Sequence, residues 1–208
     1  TVSSPPWYAV LACYALLFLC SKYVLTRMRL KALAGAAVSA VVLAATLLTQ
    51  PSGMYLVFLD VGQGDAAYLR TVRGDDYFID GGRPESAEEV VDFAVRHGIR
   101  PEAAFVSHTD DDHFAGLVAL YEAGRLYRVY CSYQEAERVS AAMPYADVIP
   151  LAAGDVVKLD DETRAVVLYP YRDTETESAN EASLVLLVEY RDFTALFPGD
   201  IDGAVETA

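Results

Sequence analysis

The chain has 208 residues, of which 53% are hydrophobic, and a formal net charge of −14 at pH 7. Residues 51–208 hold all 30 acidic residues and 12 of the 16 basic ones, whereas residues 1–50 hold four basic residues and no acidic one. So acidic a surface repels polyanions, which excludes nucleic-acid binding driven by the net charge of the protein. A nucleic-acid substrate would need bound metal ions or a local basic patch. The three cysteines show no disulfide framework and no C-x-x-C spacing.

Two apolar runs occupy the first fifty residues. The first extends from Trp7 to Cys20 and continues past Ser21-Lys22, and the second extends from Ala32 to Leu48. At about 1.5 Å per helical residue, each run would cover most of a bilayer core of about 30 Å. We therefore expect a transmembrane helical hairpin in residues 1–50, at the end of a longer membrane region, and a separate domain in residues 54–208. A buried helical hairpin in a soluble protein is the alternative, and a cleaved signal peptide fits less well because two runs are present.

The link between the two runs contains every basic residue of the N-terminal part, namely Lys22, Arg27, Arg29 and Lys31. Short loops rich in Lys and Arg remain in the cytoplasm. The second helix would then leave the membrane on its outer side, ahead of the break Gln50-Pro51-Ser52-Gly53. We expect a multi-pass protein of the cell membrane whose C-terminal domain is extracytoplasmic.

From Met54 onward the pattern changes to short strands separated by glycine-rich turns. Strands are predicted at 55–59, 66–72, 77–79, 103–107, 126–131, 148–149, 156–159, 164–169, 184–190 and 194–197. Helices are predicted at 87–97, after a capping box at Ser86-Ala87-Glu88-Glu89, and at 114–122 and 134–143. Two β-rich halves with helices between them predict an α/β fold in which two sheets pack face to face with helices outside.

The densest chemical signal is the metal loop, residues 107–113, which reads Ser-His-Thr-Asp-Asp-Asp-His and contains two of the three histidines. Imidazole and carboxylate groups at the end of a strand suit divalent metal ions that activate water. We expect His108 and Asp110 to point to one side of this loop and Asp112 and His113 to the other, so that two ions could be held. The alternative is a solvated acidic turn before a helix, with Asp112 as its N-cap.

Further acidic residues end strands or lie in the turns beside them. Asp200 follows Pro198-Gly199 and is the candidate for an additional ligand that bridges two ions. Asp80, ahead of Gly81-Gly82, could brace the metal loop by accepting its hydrogen bonds. Asp65 ends a glycine-rich turn and is expected beside the ligands rather than among them. Each of these residues taken alone could be an ordinary turn residue.

These motifs together resemble the metallo-β-lactamase superfamily, whose metal loop has the pattern His-x-His-x-Asp-His. More narrowly, five stretches within residues 54–203 resemble, in the same order, the C-terminal domain of ComEC-type DNA-internalisation competence proteins. These stretches are Leu59 to Ala66, Ile79 to Gly82, Ser107 to Gly116, Asn180 to Val185 and Phe197 to Ile201. The resemblance implies a metallo-β-lactamase-like αββα sandwich preceded by the last helices of a membrane channel.

The resemblance also implies a role for each residue of the site. His108 and Asp110 would bind one metal ion. Asp112 and His113 would bind a second ion, and Asp200 would bridge the two. The catalytic residues would be His108, Asp112 and Asp200, with Asp112 also orienting the attacking water. The ions would be zinc or manganese, with magnesium as a further option.

The sequence departs from the superfamily pattern at three places. Asp110 replaces the usual second histidine, and this harder ligand makes manganese or magnesium more competitive with zinc. Asn180 stands where another histidine is common, so we expect it and Ser183 beside the ligands. The last histidine of the superfamily would follow Asp200, but the sequence stops at Ala208. We therefore expect a C-terminally truncated domain with an incomplete second metal site.

The activity that the resemblance implies is that of a nuclease, which hydrolyses the DNA strand degraded outside the cell while its complement passes through the channel. The partners would be this DNA, the lipid bilayer around the N-terminal hairpin, and other components of the DNA-uptake machinery. Two alternatives are a catalytically silent docking or gating module of the channel and a metallo-hydrolase of a non-nucleic-acid ester. Arg83, Tyr169 and Tyr171 are the candidates for gripping a phosphate backbone or stacking bases, which would favour the nuclease.

Overall fold

Residues 7–19, 35–41, 53–176 and 178–201 are described by the structure, a computed structural model of the chain. The chain divides into two units, Thr1–Ser52 and Gly53–Ala208. In the first unit Trp7–Leu19 forms helix α1 and residues 35–41 form helix α2. Within the described ranges, no helix has both the length and the apolar character needed to cross a membrane. The rest of the predicted hairpin, including its basic link, lies outside the described residues.

Six strands of the second unit form one sheet, in which the strands follow each other in chain order. They are β1 (Tyr55–Phe58), β2 (Ala67–Arg70), β3 (Asp76–Ile79), β4 (Ala103–Phe105), β5 (Arg128–Ser132) and β6 (Asp147–Leu151). β1 to β3 pair antiparallel, whereas β3 to β6 pair in parallel. Parallel neighbours need crossovers, which helices α3 (Ala87–Arg96), α4 (Asp111–Glu122) and α5 (Ala136–Ala142) supply. The carboxyl ends of β3, β4 and β5 therefore share one edge.

Four further strands form a second, antiparallel sheet in the order β10-β9-β8-β7. They are β7 (Val156–Lys158), β8 (Thr163–Tyr169), β9 (Val185–Tyr190) and β10 (Phe193–Phe197). Short antiparallel connections suffice here, except for the long segment between β8 and β9. That segment ends in a 3₁₀ turn at Asn180–Ala182, just before β9.

The two buried faces of the first sheet produce two hydrophobic clusters. On one face, Phe78 and Val129 of the sheet pack with Val90 of α3 and Leu117 of α4. On the other face, residues such as Phe105 pack against the second sheet. The layers of the second unit are therefore helices, sheet and sheet, and no helix among this unit's described residues covers the outer face of the second sheet. The predicted α/β fold with two facing sheets is confirmed for these layers.

The start of one helix and the capping of another differ from the prediction. Helix α4 begins earlier than expected, at Asp111, and its N-cap residue is Asp110 instead of Asp112. The reason is that acidic side chains are favoured in a first helical turn, near the positive end of the helix dipole. The capping box predicted at Ser86 is wrong, because its hydroxyl donates to the carbonyl of Arg83 within a 3₁₀ turn and caps no amide of α3.

Candidate metal centre

The metal loop leaves the carboxyl end of β4 and enters α4 after a single turn, which places its two histidines side by side. His108 is 0% exposed and His113 is 2% exposed. Their ring centroids lie 4.3 Å apart. The amides of His113 and Phe114 both donate to the carbonyl of Asp110, which fixes the start of the helix. Two imidazoles are thus buried together at the edge where the parallel strands end.

Asp80 connects this loop to the end of the neighbouring strand β3. Its Oδ1 accepts the amide of Ser107 at 2.8 Å, and its Oδ2 accepts the hydroxyl of Ser107 at 2.7 Å. The same Oδ2 lies 3.1 Å from Nδ1 of His113, and the Ser107 hydroxyl lies 3.0 Å from Nδ1 of His108. Because both Nδ1 atoms contact protein groups, the Nε2 atoms are the ones that can bind an ion.

Asp80 adopts a conformation that few non-glycine residues adopt. Its φ is +56°, and its side chain is buried. Asp and Asn tolerate this left-handed region better than other residues, yet it still has a cost, and such residues cluster at functional sites. The hydrogen bonds to Ser107 and the contact with His113 therefore hold Asp80 in place, and Asp80 in turn orients the loop.

The turn before Asp200 brings a third ligand to the histidines. Gly199 has a φ of +59°, and a Cβ atom there would lie 3.0 Å from the Cβ atoms of Ser107 and Ser183. Only glycine fits so close to both serines without displacing them. This approach places Oδ1 of Asp200 at 3.4 Å from Nε2 of His113, with 46% of the Asp200 side chain exposed.

His108, His113 and Asp200 form a group whose ligand atoms all lie within 4.8 Å of one another. Nε2 of His108 is buried and has no hydrogen-bond partner among the described residues. A buried polar atom without a partner is unfavourable, and a bound cation would satisfy it. Two imidazole nitrogens and one carboxylate are also the donors that zinc and manganese accept. The residues therefore fit a divalent metal ion.

The other predicted site residues lie around this group. Asp110 is 51% exposed, and its Oδ2 lies 3.7 Å from Nε2 of His108. Asp112 is half-buried in the first turn of α4 and does not belong to the three-residue group; its carbonyl accepts the amide of Asp65 at 3.3 Å. Asn180 begins the 3₁₀ turn before β9, where its carbonyl accepts the amide of the buried Ser183. Binding of a second ion through Asp110 or Asp112 stays a prediction.

Glu135 is a residue of this site that the sequence did not indicate. It is buried, and its Oε2 accepts both the amide of Thr109, at 3.1 Å, and the Thr109 hydroxyl. Its Oε1 accepts Nη1 of Arg138 at 3.0 Å. Thr109 lies between His108 and the N-cap of α4, so Glu135 holds the middle of the metal loop. A glutamate just ahead of a short helix gives no sequence signal of burial, because only the pairing of β4 with β5 brings it here.

Replacing Glu135 with glutamine is expected to weaken metal binding by about tenfold, because loss of an outer hydrogen bond to a metal site costs roughly 10- to 100-fold in affinity. Calorimetric titration with Mn²⁺ measures this change. Glu137→Gln is the matched control, since Glu137 is exposed in the first turn of the helix that follows Glu135 and this variant should bind metal like the wild type. Equal affinities for the two variants would show that Glu135 does not position the metal loop.

The two histidines differ in their affinity for protons. Burial lowers the pKa of His108, and the neighbouring His113 lowers it further. Burial also opposes protonation of His113, but the hydrogen bond to Asp80 and the charges of Asp80, Asp200 and Asp65 outweigh it and raise its pKa to about 9. At neutral pH without metal, the proton therefore belongs to His113.

Metal binding is expected to release about one proton at pH 7, because Nε2 of His113 must be unprotonated to bind an ion. Affinity for Mn²⁺ should accordingly rise by up to about tenfold per pH unit towards a pH near the His113 pKa of about 9, and flatten above it. Titrations in buffers with different ionisation enthalpies measure the proton count. Release of no proton at pH 7 would contradict the high pKa of His113.

No protein-family model and no curated protein matches the sequence, but solved structures match the fold. A metallo-β-lactamase with an HARLDQ motif from Cronobacter sakazakii has a TM-score of 0.54 at 17% identity, with 73% of this chain and 64% of that chain covered. A mutant flavo di-iron protein from Thermotoga maritima and a metallo-β-lactamase from Staphylococcus aureus each reach 0.49 at 14% identity. These two alignments cover 69% and 67% of this chain but only 39% and 40% of the matched chains. The chain thus spans less than two thirds of each of these structures. The likeness to the Cronobacter sakazakii protein shows that the chain contains a metallo-β-lactamase fold.

Proposed function

We propose that the second unit is a metal-dependent hydrolase that cleaves phosphodiesters, with DNA as its substrate. The observation that carries the proposal is the buried Nε2 of His108, which lacks a partner among the described residues and lies beside His113 and Asp200. The fold and this donor set support metal-dependent hydrolysis. The choice of DNA, and a role in degrading the non-transported strand at an uptake channel, rest on the ordered resemblance to competence proteins described above.

In this proposal His108, His113 and Asp200 hold the ion, with Asp110 and Asp112 as the further ligands expected from the sequence. A divalent cation bound there would act as a Lewis acid on a phosphoryl oxygen and would lower the pKa of a water molecule. The chain supplies the orientation: Asp80 fixes the ring of His113, and Ser107 contacts Nδ1 of His108. Because both histidines are buried and Asp200 is half exposed, substrate approaches from the side of Asp200.

Two assays separate this function from its alternatives. We expect the protein to cut a fluorescently labelled single-stranded oligonucleotide when Mn²⁺ or Zn²⁺ is added, to stop when EDTA is added, and to leave p-nitrophenyl butyrate intact. Hydrolysis of the carboxylic ester alone would favour a metallo-hydrolase of another substrate class. Metal binding without cleavage of either substrate would favour a docking or gating module. His108→Ala should abolish cleavage, whereas the exposed His97 serves as the matched control as His97→Ala.

We also propose that the first unit anchors the protein in a lipid bilayer and that the second unit lies outside the cell membrane. The support is the apolar composition of residues 1–50 and the concentration of their four basic residues in one link. Alkaline phosphatase fused after Ser52 should be active, and a green fluorescent protein fused there should be dark. The reverse pattern would refute this orientation and with it the role in DNA uptake.

A further inference from the structure

Arg172 differs from most arginines of this acidic unit in the groups that its guanidinium contacts. Most of the others form ion pairs with carboxylates, and Arg83, the arginine that the sequence suggested for phosphate binding, donates to Glu85 at 2.6 Å. Arg172 forms no ion pair with any residue of the described ranges. Its guanidinium lies over the ring of Tyr133 instead, 4.4 Å from the ring centroid. A guanidinium stacked on a ring in this way can still donate hydrogen bonds from its N–H groups, which point outward in the plane of the guanidinium.

The segment that follows β5 places this pair beside the metal loop. Tyr133, Gln134 and Glu135 come directly after β5, whose parallel neighbour β4 leads into the metal loop. Glu135 accepts two hydrogen bonds from Thr109 of that loop. Three consecutive residues therefore connect the metal loop with the surface on which Arg172 lies.

Gln134 fixes the other side of this arrangement. Its Nε2 donates to the carbonyl of Tyr171 at 3.3 Å and to the carbonyl of Thr174 at 2.9 Å. These two carbonyls flank Arg172 in the chain, so one side chain holds the Arg172 segment against the end of β5. An exposed arginine normally loses much conformational freedom on binding a ligand, and the stack on Tyr133 together with this anchor reduces that cost.

We infer that Arg172, held by Tyr133, binds a phosphate group of the substrate strand next to the phosphate that is cleaved. The inference rests on the proposed function and adds a binding residue to it. A guanidinium can donate two parallel hydrogen bonds to one phosphate, and a local cation is what a strand needs to approach a surface with so many carboxylates. The exposed ring of Tyr171 offers a face on which a neighbouring base can stack.

The test is a fluorescence-anisotropy titration of the protein with a labelled oligothymidylate in EDTA, so that binding is measured without cleavage. We expect Arg172→Ala to weaken binding by about tenfold, because the variant lacks the hydrogen bonds that a charged guanidinium donates to a phosphate. The slope of the logarithm of affinity against the logarithm of salt concentration should fall by about 0.7, the value for one lost phosphate contact with a single strand. Arg172 is exposed, so the variant should keep the melting temperature of the wild type.

Arg100→Ala is the matched control. Arg100 is also exposed and also lacks an ion pair within the described ranges, but it precedes β4 and therefore lies at the opposite edge of the parallel strands. Its replacement should leave both affinity and salt slope unchanged. Equal losses of affinity in the two variants would show that Arg172 acts only through its contribution to the net charge, and would overturn the inference. A wild-type protein that binds no oligothymidylate would also overturn it.

The role of Tyr133 is tested separately from that of the charge. Tyr133→Phe should bind like the wild type because the ring remains, whereas Tyr133→Ala should lose part of the affinity and make Arg172→Ala less harmful in the double variant. A protein that binds through Arg172 but cuts no DNA would support this inference and contradict the proposed nuclease function. A protein that cuts DNA, but whose oligothymidylate binding is unaffected by Arg172→Ala, would support the proposed function and contradict this inference.

Discussion

Replacing Asp200 with alanine is expected to lower metal affinity and the hydrolytic rate by more than a hundredfold while leaving the fold intact. Asp200 is the only carboxylate in the three-residue group, and its side chain is half exposed in the loop after β10. Loss of a direct ligand should exceed the roughly 10- to 100-fold effect of losing an outer hydrogen bond. The fold should survive because the residue contributes little to either hydrophobic cluster.

Calorimetric titration with Mn²⁺ and the oligonucleotide cleavage assay measure the two effects of Asp200→Ala. Asp192→Ala is the control, since Asp192 is an exposed carboxylate in the turn at the other end of β10. Circular dichroism should give the same spectrum for both variants and the wild type. If Asp200→Ala bound Mn²⁺ as tightly as Asp192→Ala, Asp200 would not be a ligand.

Replacing Asp80 with asparagine is expected to lower the free energy of unfolding by about 3 kcal/mol, because it removes one partner of a buried charged pair. Asparagine tolerates the positive φ of this position, so the change isolates the charge and the acceptor from any backbone strain. One of the two acceptors for Ser107 is replaced by an NH₂ group, and His113 loses the carboxylate against its Nδ1. Metal affinity should therefore fall as well.

Asp76→Asn is the control that separates an effect on metal binding from an effect on the stability of the fold. Asp76 is also buried, and it accepts hydrogen bonds from Tyr68 and Arg70, away from the metal loop. Both variants should melt at lower temperature, but only Asp80→Asn should bind Mn²⁺ more weakly and lose the proton release expected at pH 7. Identical metal binding in the two variants would show that Asp80 supports the fold without orienting the histidines.

The strands and crossover helices of the second unit could be predicted from the sequence because their burial has a simple period. Strands such as β3 and β4 are buried on both faces and consist mostly of apolar residues, and α3 alternates buried Val90 and Ala94 with more exposed positions. The start of α4 was harder to predict, because an acidic stretch has the composition of a turn. The sequence does not show that Asp111 and Asp112 already belong to the first turn of the helix. The metal loop itself was visible because paired histidines among carboxylates are rare in ordinary turns.

Other parts of the site depend on contacts that no local pattern reveals. Glu135 reaches the metal loop only because β5 pairs with β4, and the segment that contains Arg172 lies at the end of β5 only because Gln134 binds its backbone. The same applies to Gly199, whose close approach to Ser107 brings Asp200 to the histidines. Side chains far apart in sequence meet through sheet pairing, so their roles follow from the tertiary structure rather than from spacing.

The most direct measurement is an anomalous difference map from crystals of the protein grown with Zn²⁺. We expect a peak bonded to Nε2 of His108, Nε2 of His113 and the carboxylate of Asp200, at ligand distances of about 2.0–2.2 Å. A second peak near Asp110 or Asp112 would add the second ion expected from the sequence. The absence of a peak between the two histidines and Asp200, with Nε2 of His108 donating to a protein group instead, would contradict the assignment of this site as a metal centre.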